Sequence, residues 1–260
     1  MRTAILAAGL LAIAAGAFAT PIPNGAVIKT RIFNDCPGSV LTTTNMYPAL
    51  ISIDDTNMGC VGFANLHNWR FSEDGGATAA VFNNGDAFRF CASLVISGTG
   101  QAEAGLQVSP WWSQDVDGRL NVRTTDGEVA CFGGRLPFYS FTGQHGVVYV
   151  KGTPIYLEIT YRPNGLSMAS PATIEYKVIY NSMTYLSGPL NFDMGNPNDP
   201  PHGLWGMLDD ARVGGHHQFF VGQSGPAGNA TATWREICYE PLDVVGVEEK
   251  SWSAVKHLYE

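Results

Sequence analysis

Carboxylates that could cleave a glycosidic bond are the first candidates for chemistry in this 260-residue sequence. Such cleavage needs two carboxyl groups roughly 5 to 10 Å apart, and residues i and i+2 of a strand point the same way. Glu158 and Glu175 stand alone in their strand-like segments, and the adjacent Asp209 and Asp210 would point to opposite faces. Glu103 is the single candidate acid, and its alternative role is a salt-bridged or solvent-facing carboxylate. The sequence therefore predicts no catalytic pair.

Aromatic and planar polar side chains could instead hold a ligand. Trp and Tyr combine a flat apolar face with a polar edge, which suits stacking against sugars. Neighbours on a strand alternate faces, so at least one of Trp111 and Trp112 is expected at the surface, whereas Phe138 and Trp205 are expected in the core. For Tyr139, core packing stays an equal alternative. The candidate ligand-binding residues are Trp111, Trp112, Arg135, Tyr139, His145, His216 and Gln218.

Oxygen ligands for a hard cation occur in the turn that contains Asp115 and Asp117. This spacing suits calcium, although the later ligands of an EF-hand loop are missing, and Asp also favours turns by itself. Residues 191–199 form a second oxygen-rich stretch. Close pairs of cysteine ligands are missing, and the adjacent His216 and His217 would diverge on a strand, so zinc is not expected. We expect no cofactor, with a structural calcium ion as the alternative.

The sequence contains five cysteines, which are Cys36, Cys60, Cys91, Cys131 and Cys238. In an oxidising compartment cysteines pair, and an odd number leaves at least one free or joined to another chain. The connectivity cannot be deduced from the sequence. Our preferred pair is Cys36 with Cys60, across the N-terminal loop region, and we expect structural rather than catalytic cysteines.

Short stretches that alternate between apolar and polar residues must position these side chains. Alternation of this kind indicates strands with one buried and one exposed face. In the first stretch, Ile28, Thr30 and Ile32 are expected on one face. The clearest stretches are residues 27–33, 87–96, 119–123, 155–161, 173–180 and 231–239.

Turn signals separate these stretches, among them Asn84-Gly85, Asp117-Gly118 and Asp126-Gly127. Asn-Gly and Asp-Gly supply the positive φ that tight hairpins need. Residues 39–68 and 191–202 are predicted as long loops, and no long helix is predicted before residue 245. Many short strands with regular turns predict an all-β protein, a two-sheet antiparallel β-sandwich of the jelly-roll kind.

The two ends of the chain differ from the middle. Arg2 precedes an apolar run over residues 4–18, and Ala17-Phe18-Ala19 has the small-x-small pattern of a signal-peptide cleavage site. The run is too short to span a bilayer comfortably. The predicted organisation is a signal peptide over residues 1–19, a β-sandwich domain over 20–242 and a C-terminal tail over 243–260. The tail contains either a short helix capped by Ser251 or a frayed end.

The net charge of −8 argues against nucleic acid as a partner. After residue 19 the sequence holds no segment long and apolar enough to cross a membrane. With the signal peptide removed, the mature chain is therefore expected to be secreted, extracellular or held at the cell surface by another component.

Residues 88–112 read Phe-Arg-Phe-Cys-Ala-Ser-Leu-Val-Ile-Ser-Gly-Thr-Gly-Gln-Ala-Glu-Ala-Gly-Leu-Gln-Val-Ser-Pro-Trp-Trp, a strand with alternating aromatics, a Gly-rich turn and a returning Gly-Leu strand. Residues 204–213 and 230–241 look like closing strands. Over residues 26–242 the sequence resembles concanavalin A-like lectin/glucanase domains. The resemblance implies two stacked antiparallel sheets, one of them concave, and raises the prospect of calcium in a loop. Members of this fold bind glycans, cleave them or act as scaffolds.

The catalytic motifs that mark enzymes of this fold are absent from the sequence. It holds neither the Glu-x-Asp-x-x-Glu strand of the glucanases nor the Gln-x-His and Tyr-x-Lys-x-Gly-x-Tyr strands of the lyases. We therefore expect a non-catalytic extracellular module that binds carbohydrate or another cell-surface component. A glycoside hydrolase or lyase of the same fold is one alternative, and a structural surface or matrix protein is another.

Overall fold

The computed structural model describes residues 20–192 and 205–242. The predicted signal peptide and the C-terminal tail lie outside the described residues, as does most of the second predicted loop. Within the described residues, helices are limited to a 3-10 turn (Trp111–Ser113), α1 (Phe141–His145) and α2 (Val221–Ser224). None of the described helices has the length and apolar character needed to cross a bilayer.

Fifteen strands make up about half of the described chain. They are β1 (Gly25–Asn34), β2 (Val40–Met46), β3 (Leu50–Thr56), β4 (Asn65–Ser72), β5 (Phe88–Ser97), β6 (Ala102–Ser109), β7 (Arg119–Arg123), β8 (Val129–Phe132), β9 (Tyr139–Ser140), β10 (Ile155–Arg162), β11 (Thr173–Tyr180), β12 (Met183–Leu186), β13 (Leu190–Asn191), β14 (Arg212–Phe219) and β15 (Asn229–Pro241).

The strands form two antiparallel sheets that pack face to face. The seven-stranded sheet has the order β1-β4-β14-β6-β7-β8-β9. The eight-stranded sheet has the order β12-β11-β10-β5-β15-β3-β2, with β13 paired beside β11. All strand pairs are antiparallel. The predicted all-β, two-sheet sandwich is confirmed.

The core lies between the two sheets and follows the predicted alternation. In β5, Phe88, Phe90, Leu94 and Ile96 are fully buried. Aromatic rings from both sheets meet there, and Trp69 of the seven-stranded sheet lies 6.1 Å from Trp234 of the eight-stranded sheet, centroid to centroid. Burying one such side chain contributes about 1.5 to 3 kcal/mol, so this core supplies the main stabilisation of the sandwich.

The predicted long loop over residues 39–68 is wrong, because β2, β3 and part of β4 lie within it. Its Thr, Asn and Asp residues obscured the pattern, since β2 is an edge strand with little buried surface. The predicted alternation over residues 27–33 is also interrupted. The register of β1 shifts between Lys29 and Phe33, where Arg31 has a φ of 57°.

Two disulfides are present. Cys36–Cys60 confirms the preferred pair, and Cys91–Cys238 joins the neighbouring strands β5 and β15. Cys131 is free and buried, which confirms the expected unpaired cysteine. Burial raises the pKa of its thiol above the usual range, so Cys131 is an inert core residue.

Polar side chains also lie inside the sandwich, at the end near the Cys36–Cys60 disulfide. We name Asp55, Asn65, His67 and His217 the interior cluster. The Asp55 carboxylate accepts hydrogen bonds from the Asn65 amide at 2.7 Å and from His67 Nε2 at 3.1 Å. His67 Nδ1 accepts the backbone N–H of Arg31 at 3.0 Å, so the ring carries its proton on Nε2. Through His67 the cluster ties β1 to β3 and β4.

Burial alone would raise the pKa of Asp55, but hydrogen bonds from His67, Ser39 and Asn65 lower it below its usual value. His217 lies directly opposite His67, with 6.1 Å between ring centroids. Its two ring nitrogens have no partner among the described residues. Burial, followed by the neighbouring His67, lowers the pKa of His217 to about 3.

Candidate functional site

The outer face of the seven-stranded sheet carries a continuous patch of polar side chains on four adjacent strands, β4, β14, β6 and β7. Residues that alternate with them, such as Trp69, Leu106 and Leu120, point into the core. The patch residues are all buried, and the most exposed of them is 8% accessible. We name this patch the polar face, and it comprises Asn68, Arg70, Glu103, Gln107, Arg119, Asn121, His216 and Gln218.

Strand register places these residues in three rows across the sheet. The first row contains Arg70, Gly214, Gln107 and Arg119 in neighbouring positions. The second row contains Asn68, His216, Gly105 and Asn121 in the same strand order. The third row contains Leu66, Gln218, Glu103 and Arg123.

Gly105 keeps the centre of the polar face free of a side chain. A Cβ at this position would lie 1.9 Å from the backbone oxygen of Leu120, so only glycine is compatible with this strand spacing. His216 and Asn121 lie on either side of Gly105 in their row, and His216 Nε2 lies 2.9 Å from Asn121 Oδ1. A side chain at residue 105 would stand between them.

Glu103 is held on both of its carboxylate oxygens. Arg119 donates to Oε1 at 3.0 Å, and the Asn121 amide donates to Oε2 at 3.0 Å. Arg119 also donates to Gln218 at 3.2 Å. Burial lowers the pKa of Arg119, while Glu103 and then Asp117 oppose the shift. The salt-bridged role for Glu103 is therefore the one found, in a buried rather than an edge position.

His216 is neutral and has a defined tautomer. The Asn121 amide nitrogen donates to Glu103, so Asn121 offers its oxygen to His216, and His216 carries its proton on Nε2. Burial, followed by Arg119, His217 and Arg70, holds the pKa of His216 well below its usual value. Nδ1 makes no hydrogen bond of good geometry in the described part of the chain, and the backbone of Leu106 opposes the lowering of the His216 pKa.

The segment that follows β6 folds over one end of the polar face. Arg70 Nη2 donates to the backbone oxygen of Gln114 at 2.6 Å, and the Asn68 amide donates to the backbone oxygen of Asp115. The Asp115 carboxylate is paired with Lys29. Burial lowers the pKa of Arg70 to about 9, with Asp115 opposing the shift.

Five buried polar atoms of the polar face have no hydrogen-bond partner among the described residues. Two of them are donors on arginine, and three are acceptors on amide or imidazole groups. They are Arg70 Nη1, Arg119 Nε, Asn68 Oδ1, Gln107 Oε1 and His216 Nδ1. Buried polar atoms are nearly always paired in folded proteins, with protein groups or with water, so five unpaired atoms on one face are an unusual concentration.

Aromatic side chains mark both ends of the polar face. At one end, Trp111 and Trp112 are 49% and 37% exposed and line a pocket of about 400 Å³. At the other end, Phe63 and Phe220 line a pocket of about 320 Å³ that also contains Glu103 and Gln218. The expectation that at least one of the two tryptophans lies at the surface is confirmed for both.

Four of the seven predicted ligand-binding residues lie on or beside the polar face, and three do not. His216 and Gln218 lie on the polar face, and Trp111 and Trp112 lie beside it. Tyr139 and His145 lie elsewhere, at the side of the sandwich, where the Tyr139 hydroxyl is 2.8 Å from His145 Nε2. The remaining candidate, Arg135, follows the 133–134 glycine pair, whose Gly134 packs against Gly118.

The prediction that Phe138 is a core residue is wrong, because its side chain is 70% exposed. Its neighbour Tyr139 packs on the buried Phe141 at 4.9 Å between ring centroids. Strand alternation then directs Phe138 outward. Trp205 is partly buried, and its backbone oxygen accepts the N–H of Ala172.

Of the two candidate calcium ligands, Asp115 is paired with another side chain and Asp117 lies in a turn, and the calcium expectation stays a prediction. Asp115 is engaged by Lys29 at 2.5 Å, and Asp117 has a φ of 71°, which is typical of a turn residue. Over residues 20–192 and 205–242, no cluster of three or more His, Cys, Asp or Glu side chains is arranged to hold a metal ion. The oxygen-rich stretch 191–199 lies mostly outside the described residues.

Glu158 and Glu175 stand alone in their own strands, as predicted, but those two strands are neighbours and bring the two side chains to one pocket. They lie on the paired strands β10 and β11 and line one pocket of about 460 Å³ on the outer face of the eight-stranded sheet, with Arg89 and Arg162. Glu158 accepts a hydrogen bond from Tyr156 at 2.5 Å. This pocket is on the opposite side of the sandwich from the polar face.

Sequence reasoning missed five polar-face residues, namely Asn68, Arg70, Gln107, Arg119 and Asn121. In β4 every residue is buried, so the polar residues of its outer side showed no contrast with exposed positions. The sequence of β7 did indicate part of the polar face, because Arg119, Asn121 and Arg123 alternate there with apolar residues. It placed these three on one face but did not show that three other strands would extend that face.

The closing strand expected at 204–213 is displaced. Only its last two residues, Arg212 and Val213, belong to β14, which continues to Phe219. The glycines at 214 and 215 interrupt the alternation of apolar and polar residues, so the sequence pattern did not predict this strand. Gly215 is required there, because a Cβ would lie 2.3 Å from the Trp69 indole nitrogen.

Comparison with known proteins finds similar solved structures but no related family or curated sequence. No family model matches the sequence, and no curated protein matches it. A family 7 alginate lyase, A1-II′, crystallised with substrate, is 12% identical with a TM-score of 0.44, covering 75% of this chain and 79% of its own. An alginate lyase from Corynebacterium sp. is 12% identical with a TM-score of 0.39, covering 83% and 93%.

A seed lectin from Lotus tetragonolobus is 8% identical with a TM-score of 0.40, covering 86% of this chain and 97% of the lectin. Because each of these TM-scores is below 0.5, no inference rests on the three structures. The two-sheet antiparallel β-sandwich is established by the chain's own strand pairing.

Proposed function

We propose that the polar face binds a carbohydrate that carries acidic groups. The observation that carries this proposal is the set of five buried, unpartnered polar atoms on one face of four adjacent strands. Leaving a buried polar group unpaired costs about 1 to 3 kcal/mol. These atoms are inaccessible in the described structure, so the proposal requires the polar face to open; a ligand that then paired the five atoms would remove this cost, which is the energetic basis for binding.

The mixture of donors and acceptors favours a sugar over a simple anion. An inorganic anion could accept from Arg70 and Arg119, but it could not donate to Asn68, Gln107 or His216. Sugar hydroxyl groups both donate and accept, so they match the three acceptors. A carboxylate on the same molecule would match the two guanidinium groups, for which Arg has a fitting planar geometry.

The aromatic residues at the two ends support the same ligand class. Exposed Trp111 and Trp112 offer flat apolar faces beside polar groups, and the exposed Phe63, which packs on the buried Phe220, does the same at the other end. Ligand sites combine apolar walls with a few placed polar groups in this way. A glycan that lies along β6 and β14 would reach both ends.

An extracellular place of action belongs to the same proposal. Two disulfides are typical of proteins that fold in an oxidising compartment. A glycan of a cell surface or of an extracellular matrix is the partner that such a protein would meet. Binding without cleavage is the leading role, because the one acid of the polar face, Glu103, is fully engaged in an ion pair and hydrogen bonds.

A second candidate function is cleavage of an acidic glycan by β-elimination, and His216 favours it. In that reaction a base removes the proton beside the carboxylate, a carbon–carbon double bond forms, and the glycosidic oxygen leaves with a proton. Arg70 and Arg119 would neutralise the carboxylate. His216 is neutral and so can accept a proton; its lowered pKa makes it a weak base unless the bound substrate raises that pKa.

One panel of acidic and neutral glycans separates these functions. Wild-type protein is tested for binding by calorimetry and for release of unsaturated sugars and of reducing ends. We expect binding of acidic glycans with no release. Unsaturated products would establish the lyase instead, saturated reducing ends would indicate a hydrolase, and silence in every assay would contradict both proposals.

Variants connect the result to the polar face. Arg70→Gln is expected to weaken acidic-glycan binding at least about tenfold, because it removes a charge-assisted contact of about 1.5 to 3 kcal/mol. Arg162→Gln is the matched control, since Arg162 is exposed on the outer face of the other sheet. Equal affinities of the two variants would contradict the assignment of the polar face.

A further inference from the structure

The described chain enters the sandwich along a defined path over residues 20–24. The N–H of Ile22 donates to Glu73 Oε1 at 2.9 Å, and the N–H of Asn24 donates to the backbone oxygen of Ser72 at 2.8 Å. Glu73 follows directly after β4, which ends at Ser72. These contacts hold residues 20–24 against the end of β4 and so fix where this stretch begins.

Asp86 lies beside the start of this stretch and is only 3% exposed. Its carboxyl group accepts the N–H of Asn83 at 2.6 Å and hydrogen-bonds with the Thr20 side chain. Burial raises the pKa of Asp86, and the hydrogen bonds with Asn83 and Thr20 oppose the rise. The negative charges of Asp209 and Glu73 add to the rise. The surroundings of Asp86 therefore disfavour its charged form.

The three acidic groups at this point lack a cationic partner within the described residues. Over residues 20–192 and 205–242, Glu73, Asp86 and Asp209 take part in none of the ion pairs. Aspartate is almost never fully buried without a partner, because removing a charge from water is costly. A positive group next to Asp86 would offset both its burial and the repulsion from its two acidic neighbours.

The predicted signal-peptide cleavage supplies such a group. The small-x-small pattern of Ala17-Phe18-Ala19 places the cut between Ala19 and Thr20. Hydrolysis of that peptide bond consumes one water molecule and leaves a carboxylate on Ala19 and a protonated α-amino group on Thr20 at neutral pH. In threonine the α-nitrogen and the hydroxyl are on adjacent carbons. The hydroxyl that contacts Asp86 therefore brings the nitrogen close to the same carboxylate.

We propose that the α-ammonium group of Thr20, created by removal of the signal peptide, forms an ion pair with Asp86 that stabilises the mature fold. Glu73 and Asp209 add to the attraction, because both carboxylates lie close enough to Asp86 to affect its charge. This ion pair depends on cleavage after Ala19 and is independent of the polar face. In the uncleaved precursor the same nitrogen is an uncharged amide, so the precursor lacks the ion pair.

Cleavage therefore acts as a maturation step for the fold. Before cleavage, Asp86 has no counter-charge, and the precursor unfolds more easily while it is exported. After cleavage, the chain gains a charge-assisted hydrogen bond at its new end. The stability of the fold increases at the point where the chain is released.

The position of the cut is tested first. The full sequence is expressed in a host that exports it, and the exported protein is analysed by N-terminal sequencing and intact mass. We expect a chain that begins at Thr20. A retained signal peptide, or a chain that begins at any other residue, would overturn the proposal.

The ion pair is tested by moving the ammonium group. Two chains, residues 20–260 and 19–260, are released from a fusion that leaves no extra residue. The additional Ala19 places the ammonium group one Cα–Cα step, about 3.8 Å, further along the chain. The unfolding equilibrium constant of the longer chain is expected to be roughly tenfold larger, the effect of losing one charge-assisted hydrogen bond. Equal constants would contradict the ion pair.

An Asp86→Asn variant separates the effect of charge from that of bulk. Asparagine keeps an acceptor for the Asn83 N–H but carries no charge, so Ala19 should change the unfolding constant by less than about twofold. Asp35→Asn is the matched control, because Asp35 also accepts two backbone N–H groups, but in a different loop. The roughly tenfold effect of Ala19 should persist there. An equal effect in wild type and Asp86→Asn would identify crowding as the cause and overturn the proposal.

Glu73→Gln keeps the test decisive if Asp86→Asn does not fold. Glu73 is exposed, and glutamine keeps an acceptor for the Ile22 N–H. Removing its charge weakens the attraction at Thr20, so the effect of Ala19 is expected to shrink without loss of the fold. An undiminished effect in Glu73→Gln would contradict an electrostatic cause.

Discussion

His217 shows how one buried residue couples this fold to pH. Its pKa of about 3 in the folded state lies below its value of about 6.5 in the unfolded chain. The unfolded state therefore takes up a proton below about pH 6.5, while the folded state does not. Stability is complete above that pH and falls as the pH drops towards 3.

We predict that this one residue accounts for a loss of about 2 to 3 kcal/mol between about pH 7 and pH 4.5. The free energy of unfolding should be measured across that range for wild type and His217→Gln. The variant is expected to have the shallower pH dependence, whatever its stability at neutral pH. Equal slopes for wild type and His217→Gln would contradict the prediction.

Glu103 is a second residue whose role can be tested apart from ligand binding. Replacing it with Gln leaves the buried Arg119 without its counter-charge. Breaking a buried ion pair by neutralising one partner costs about 3 to 5 kcal/mol. We predict that Glu103→Gln loses about 3 kcal/mol of stability in denaturant unfolding.

Glu175→Gln is the control for this substitution, because Glu175 lies in the outer pocket of the other sheet and takes part in none of the ion pairs found within residues 20–192 and 205–242. It is expected to stay within about 0.5 kcal/mol of wild type. If Glu103→Gln were equally neutral, Glu103 would not be part of a buried network.

At the scale of the element, β6 depends on a glycine at its centre. Gly105→Ala would place a Cβ 1.9 Å from the Leu120 backbone oxygen, so β6 and β7 would have to move apart. Overpacking of this kind costs about 1 to 3 kcal/mol or more. We predict that Gly105→Ala destabilises the protein by at least about 2 kcal/mol in thermal or denaturant unfolding.

Gly85→Ala provides the comparison, because a Cβ at Gly85 meets no atom within 4 Å and the backbone φ there is not positive. That substitution is expected to be neutral or to stabilise by up to about 1 kcal/mol, since alanine restricts the unfolded chain. A Gly105→Ala protein as stable as Gly85→Ala would show that β6 and β7 are further apart than described.

At the scale of the whole molecule, the two disulfides restrain very different lengths of chain. Cys36–Cys60 spans 24 residues, and Cys91–Cys238 spans 147. Loop-closure entropy gives about 3.4 kcal/mol for the shorter loop and about 5 kcal/mol for the longer one. We predict that Cys91→Ala/Cys238→Ala is less stable than Cys36→Ala/Cys60→Ala. Guanidinium unfolding of the two double variants measures this order, and a reversed order would show that local packing outweighs chain entropy.

Much of the molecule's architecture could be predicted from the sequence. In β5 and β10, alternating residues such as Phe90 and Ile159 face a core on one side only, so the pattern reveals the strand. The preferred disulfide between Cys36 and Cys60 is present, although the number of cysteines alone left the connectivity open. The pattern failed in β4, because both of its faces are buried, and at Arg31, because a positive φ breaks the alternation.

The sequence by itself determined the class of fold, since side-chain periodicity is a local property that each strand carries in its own residues. It also determined the odd cysteine and the acidic charge. Only the tertiary structure decided the polar face, because Asn68, Asn121 and His216 come from distant parts of the chain and meet only through strand order. Strand order depends on which strands pair over long loops, and no short stretch of sequence records that choice.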